Sequence, residues 1–324
     1  MKAVYLERKA ITEGDIDFTP ITSLMETEIF DNTTEENKYD HIGDADFVFV
    51  NKIIMDEELF ERCPNLKYIG VCATGYNCVD VAAATKRGIT VTYVPSYSTD
   101  SVAQLAFLFI LESAGKMILH NESVKKGEWI NADRFCYWLE PIIELSGKSL
   151  GIIGFGNIGR RVAEIAKAFH MNVYAYTRNP DKYKDYEYEG ESFLRFVSQD
   201  ELLEKSDYIS LHCPMNEHTG NMINEETINK MKDGAVLINV SRGGLIDENA
   251  VASALNSGKL SFFGADVVKV EPMRADNPLK DAKNAVITPH LAWASIEART
   301  RLINTIADNF KAYLNGEKKN VVSS

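Results

Sequence analysis

Residues 151–176, "GIIGFGNIGRRVAEIAKAFHMNVYAY", decide how this chain folds. An apolar run of strand length ends in Gly154, Gly156 and Gly159 at GxGxxG spacing; an amphipathic stretch follows, and then "NVYAY", a second strand. Strand, glycine loop, helix and strand together make the unit that cradles a dinucleotide. Gly154 permits the tight turn, Gly156 lets the backbone approach a pyrophosphate, and Gly159 lets the helix pack on the strand with its N-terminal amides facing the anion. The competing reading is a glycine-rich structural turn.

Such a unit usually carries a carboxylate at the end of its second strand, where it accepts hydrogen bonds from the adenosine ribose. Here "AYTRNP" (175–180) places Thr177 there, followed by Arg178. A neutral hydroxyl does not repel a 2′-phosphate, and a guanidinium fork can bind one. The pair therefore favours NADP(H), or use of both NAD(H) and NADP(H), against the alternative of a solvated or adenine-stacking arginine.

Outward from this unit, β-rich runs alternate with helical stretches: "AVYL" near the start, "ADFVFV" at 45, "LKYIGV" at 66 and "GITVTYV" at 88. A second series comprises "SLGIIGFG" at 149, "NVYAY" at 172, "SDYISLH" at 206, "AVLINV" at 235, "FFGADVV" at 262 and "NAVITPH" at 284. The alternation predicts an α/β chain with two doubly wound parallel sheets, the second of six strands. Helices over about 98–120 and 295–314 are read as connectors, and "DKYKDYEYEGES" (181–192) as an exposed loop.

With 324 residues, 45% hydrophobic and 25% charged, the chain has material for two domains and two cores. Its formal charge of -12 opposes a nucleic-acid or anionic-membrane partner. The start, "MKAVYLERKA", is not read as a secretory signal, and the apolar run Val102–Leu111 is too short to span a bilayer but suits a buried helix. A cytoplasmic protein is expected. Five cysteines without CxxC spacing are read as buried reduced thiols, with no metal site.

Three further segments carry chemistry, each just after an expected strand: "INVSRGGLIDENAV" with Arg242, "GADVVKVEP" with Glu271 and "VITPHLAWAS" with His290. Ligands gather at the carboxyl ends of strands in open α/β sheets, so the three can converge. Singly, each has a structural reading: a turn-capping arginine, an exposed glutamate, a core histidine.

Together with the glycine loop these segments resemble the D-isomer-specific 2-hydroxyacid dehydrogenases over essentially the whole chain. Within that family the likeness is to glycerate dehydrogenases, also called hydroxypyruvate reductases, carried by "GVCATGYNCVD", "VPSYSTDSVAQ", "RFCYWLEPIIELSGKSLGIIGFGNIG", "VEPMRADNPL" and "TPHLAWAS". The resemblance implies a Rossmann-like NAD(P)-binding domain (99–289) inserted into a flavodoxin-like substrate domain made from 1–98 and 290–324. It implies a small 2-oxo or 2-hydroxy acid as substrate, hydroxypyruvate or glyoxylate first, and a homodimer joined through about residues 100–150.

By the same resemblance Arg242 pairs with the substrate carboxylate and C2 oxygen, His290 is the acid or base, and Glu271 holds the imidazole. A fixed guanidinium suits an anion whose carbonyl oxygen gains charge, and a neighbouring carboxylate favours a protonated imidazole that can donate. Backbone amides of about Ala73, Thr74 and Gly75 would meet the substrate carboxylate, with Trp293 at the side of the pocket. The resemblance also implies Val102, Val240, Ser241 and Asp266 near the nicotinamide end, Asn157 and Ile158 at the pyrophosphate, and Cys213 and Pro214 beneath the adenosine; Asp266 either receives the carboxamide or caps its strand-end turn. Rival readings are a nucleotide-sensing scaffold of the same fold, an L-specific dehydrogenase, and a D-lactate or D-3-phosphoglycerate enzyme.

Overall fold

The computed structural model describes residues 1–183 and 193–323, which divide into two units: 1–98 with 293–323, and 99–292. The tyrosine-rich stretch 181–192 lies outside the described residues except for its first three, part of a 3-10 turn at Pro180–Tyr183.

The first unit holds a five-stranded parallel sheet in the order β2-β1-β3-β4-β5, with β1 Ala3–Tyr5, β2 Thr27–Ile29, β3 Phe47–Val50, β4 Tyr68–Val71 and β5 Thr90–Thr92. This is the flavodoxin-like strand order. Its inner strands are buried on both faces: Val4 and Leu6 point into one core, Ala3 and Tyr5 into the other. The helix Ile296–Leu314 covers the second face with Leu302, Ile306 and Phe310, which is why this unit needs both ends of the chain.

The second unit holds seven parallel strands: β6 Ser149–Ile153, β7 Asn172–Tyr176, β8 Leu194–Phe196, β9 Tyr208–Leu211, β10 Ala235–Asn239, β11 Leu260–Ala265 and β12 Ala285–Ile287. Their order, β12-β11-β10-β9-β6-β7-β8, is that of a dinucleotide-binding sheet with one strand added at the β12 edge. Both sheets exceed expectation by one strand: β2 in the first and β8 in the second.

Three other expectations need correction. The helix foreseen over 98–120 is two helices, Thr99–Gly115 and Met117–Lys125, broken at Lys116, whose φ of 52 is left-handed. The Val102–Leu111 run is buried on one face only, since Leu108 and Leu111 are 52% and 42% exposed. The thiols are not all buried either: Cys78 is half-buried and Cys136 exposed, the latter in an irregular stretch outside the sheet and helix layers. No single helix among the described residues is long and apolar enough to cross a membrane.

Candidate functional site

Every residue singled out in the second unit except Val102 lies at or just beyond the carboxyl end of a strand. Gly154 follows β6 at φ 98, and its amide donates to Tyr176 O at 2.9 Å, joining the glycine turn to the end of β7. A Cβ on Gly154 would stand 2.5 Å from Cys213 N, and one on Gly159 would collide with Gly154 O. These two glycines serve packing.

Gly156 differs. A Cβ there would meet nothing within 4 Å, yet Gly156 is the N-cap of the helix Asn157–Ala168 and provides no side-chain cap. An uncapped helix start beside open space, with no side chain intruding, fits a pyrophosphate. Gly156→Ala is therefore expected to fold with a melting temperature near that of the native chain but to bind nicotinamide nucleotide more weakly, whereas Gly159→Ala loses stability outright. Thermal melts paired with cofactor titration check both.

The rest of the cofactor set joins this loop. The Ser241 hydroxyl donates to Cys213 O at 2.6 Å, so the segments after β9 and β10 meet. Cys213 and Val240 are buried; Pro214 is exposed beside them. Burial pushes the Cys213 thiol up to about 11. Thr177 is half-buried and Arg178 exposed. Val102 stands in the core with Phe155 and Ala292, and the neighbouring Ser101 hydroxyl donates to Ala292 O at 2.5 Å.

His290 and Glu271 are in contact: His290 Nδ1 lies 2.7 Å from Glu271 Oε2, with the side chains 35% and 37% exposed. Commitment of Nδ1 to a carboxylate fixes the ring and puts Nε2 on its opposite side. The backbone is fixed as well. His290 has φ 54, in the left-handed region, and its amide donates to Asp266 O at 2.9 Å.

Asp266 does more than its main chain suggests. Its Oδ1 accepts from the Thr288 hydroxyl at 2.6 Å and Leu291 N at 2.9 Å, and Oδ2 from Ala292 N at 2.7 Å. At 1% exposure the carboxylate is spent on the turn that carries His290, which is the turn-capping reading. Burial pushes its proton affinity above the usual carboxylate value despite these bonds. The same bonds keep residues 288–292 on the second unit, so the division falls after Ala292, three residues beyond the boundary expected from sequence.

Arg242 sits on a rigid bend after β10. Its carbonyl accepts from Asn239 Nδ2 at 2.9 Å, while Asn239 Oδ1 accepts Ser241 N at 3.1 Å; Asn239 is fully buried. Gly243 packs on the backbone of Val268 and Lys269 so closely that any Cβ would clash, which draws Arg242 towards the segment bearing Glu271. The guanidinium is exposed and donates to Ser241 O at 2.7 Å. Among the described residues no carboxylate pairs with it, so its charge is available to an anion.

In the first unit, Ala73, Thr74 and Gly75 form the turn after β4. The turn is pinned to the residue beyond β5 by Val94 N to Ala73 O at 3.0 Å and Thr74 Oγ1 to Val94 O at 2.8 Å. Trp293 is half-buried against the ring of Tyr97, centroids 6.4 Å apart. Sequence reasoning overlooked Asn239, whose signal was its place at the end of a fully apolar strand in "INVSRGG", where a buried amide must have partners.

Residues 107–292 match the family described as D-isomer specific 2-hydroxyacid dehydrogenase, NAD binding domain. The chain is 45% identical, over the full length of both, to a hydroxypyruvate reductase of Blautia hydrogenotrophica. Among solved structures it is similar to an acyclic imino acid reductase (Bsp5) in complex with NADPH and D-Arg, with a TM-score of 0.85 and 31% identity over 99% of this chain and 100% of that one. It is likewise similar to a D-lactate dehydrogenase of Aquifex aeolicus complexed with NAD and lactic acid, with a TM-score of 0.82 and 30% identity over 100% of this chain and 99% of that one.

Proposed function

Because the chain belongs to the D-isomer specific 2-hydroxyacid dehydrogenases, we propose that it reduces a small 2-oxo acid, hydroxypyruvate or glyoxylate, to the D-2-hydroxy acid, and runs the reverse reaction. The observation that carries this reading is the 2.7 Å contact between His290 Nδ1 and Glu271 Oε2 at the strand-end edge that also bears Arg242 and the glycine loop.

The residues divide the work by charge. Arg242 pairs with the substrate carboxylate and C2 oxygen, and stabilises the negative charge that grows on that oxygen. His290 gives it a proton from Nε2 and in the oxidative direction takes the hydroxyl proton back. Glu271 orients the ring through its contact with Nδ1. Gly154, Gly156, Asn157 and Ile158 would hold the pyrophosphate of a nicotinamide dinucleotide, which when bound would supply or accept the hydride. Ala73 to Gly75 and Trp293 are proposed substrate contacts.

Purified protein mixed with NADH or NADPH and hydroxypyruvate is expected to lose the reduced-nicotinamide absorbance. Cofactor that binds without being consumed, across hydroxypyruvate, glyoxylate and pyruvate, would instead identify a nucleotide-sensing scaffold. Faster turnover of pyruvate than of the other two would favour a D-lactate enzyme.

Cofactor choice follows from Thr177 and Arg178. With Thr177 rather than a carboxylate following β7 and the exposed guanidinium of Arg178 next to it, a 2′-phosphate meets a donor fork rather than a like charge. NADP(H) is the preferred cofactor in this reading. Arg178→Ala should weaken NADPH by roughly 10-fold or more, the scale of a lost charged hydrogen bond, and NADH far less. Fluorescence titration with each nucleotide checks this, and equal losses would discard it.

The chain is also proposed to form a homodimer through residues of about 100–150. Ile130, Phe135 and Trp138, within that stretch, are 86%, 87% and 62% exposed, large apolar side chains that a partner copy would cover. Sedimentation at twice the chain mass is expected.

A further inference from the structure

Glu271 comes from a stretch without regular structure: from Asp266 to Asn284 there is neither helix nor strand. Its carboxylate nonetheless has to stay on His290. Val268 N donates to Glu271 Oε1 at 3.2 Å, which closes the local turn, but something must hold the turn itself.

Glu248 supplies that hold. It is the first residue of the helix Glu248–Ser257, where an acid is ordinarily explained by the helix dipole. The preceding residue, Asp247, already caps this helix, accepting Asn249 N at 2.9 Å and Ala250 N at 3.2 Å. Glu248 points its bonds elsewhere. Oε1 accepts Lys269 N at 2.8 Å and Oε2 accepts Asn277 Nδ2 at 3.1 Å, so the two oxygens grip the chain on either side of Glu271. Asn277 is itself anchored, its Oδ1 accepting the amide of fully buried Leu279 at 2.9 Å. Gly243, packed on Val268 and Lys269, completes the clamp and comes from the segment that bears Arg242.

We propose that Glu248 is a positioning residue: by bracketing the 269–277 loop it sets the Glu271 carboxylate on His290. The inference rests on the reading of His290 and Glu271 as acid and partner. Loss of the clamp lets Glu271 drift, and a displacement of about 1 Å is enough to cost up to 100-fold in rate. The loss falls on kcat rather than on cofactor affinity, because both Glu248 bonds go to the loop that bears Glu271.

The test compares the full-length native chain with Glu248→Ala, Glu248→Gln, Glu271→Gln and the Glu248→Ala, Glu271→Gln double variant in hydroxypyruvate reduction, with cofactor affinity measured by titration. Glu271→Gln is expected to lower kcat. Glu248→Ala should lower kcat about 10-fold with cofactor affinity unchanged, and should add little to the loss in Glu271→Gln, because it acts through that carboxylate. Glu248→Gln, which keeps the length and one acceptor, should recover part of the rate. If alanine at this helix start prevents folding, Glu248→Gln takes its place in the double variant.

A Glu248 loss that multiplies in full with that of Glu271→Gln would overturn the proposal, and so would a native kcat in Glu248→Ala. An unchanged kcat in Glu271→Gln would remove the acid–partner reading, and this proposal with it.

Discussion

His290→Ala lowers 2-oxo acid reduction by about 100-fold or more, the usual scale for removing a positioned proton donor. The loss should appear in kcat with cofactor affinity intact, because the glycine loop and the Cys213–Ser241 contact do not involve the ring. The turn should also survive, since Asp266 holds residues 288 to 292 through Thr288, Leu291 and Ala292 rather than through the imidazole. Steady-state rates together with cofactor titration check the split. Unchanged turnover would take His290 out of the mechanism.

Arg242→Lys should cost about 100- to 1,000-fold in kcat/KM, comparable to losing a donor aimed at a developing oxyanion. A lysine keeps the charge but loses the planar fork that meets a carboxylate and a carbonyl oxygen together. The backbone at 242 is fixed from both sides, by buried Asn239 and by Gly243 against Val268, so the variant changes the head group and little else. Kinetics on hydroxypyruvate, with a melt to confirm folding, are decisive. A loss under 10-fold would mean that charge alone suffices.

How much of this was legible in the sequence depended on how local each signal is. The glycine unit could be read because its strand, turn and helix are contiguous. The two strands that escaped, β2 and β8, are three residues long and stand at sheet edges, where one neighbour and partial exposure leave no apolar run to notice. The helix break at Lys116 follows Gly115, a single helix-ending residue that is easily passed over inside a long apolar pattern.

The candidate site shows the same gradient. Arg242, Glu271 and His290 could be placed at strand ends one by one, but only the fold reveals that a 2.7 Å bond joins the last two. Glu248 was invisible for a related reason: its partners lie 21 and 29 residues away, and an acid at a helix start looks ordinary. Asp266 could be read two ways because a strand-end carboxylate serves a cofactor or a turn equally well until its three donors are seen.

The left-handed backbone at His290 has a bearing on mutational surveys of this position. Asparagine tolerates that conformation, whereas valine and isoleucine resist it. A survey scored by activity would merge two injuries, lost proton transfer and a deformed loop. Asparagine at 290 separates them, silencing the chemistry while leaving the polypeptide path comfortable, and so gives the inactive protein best suited to trapping a bound substrate.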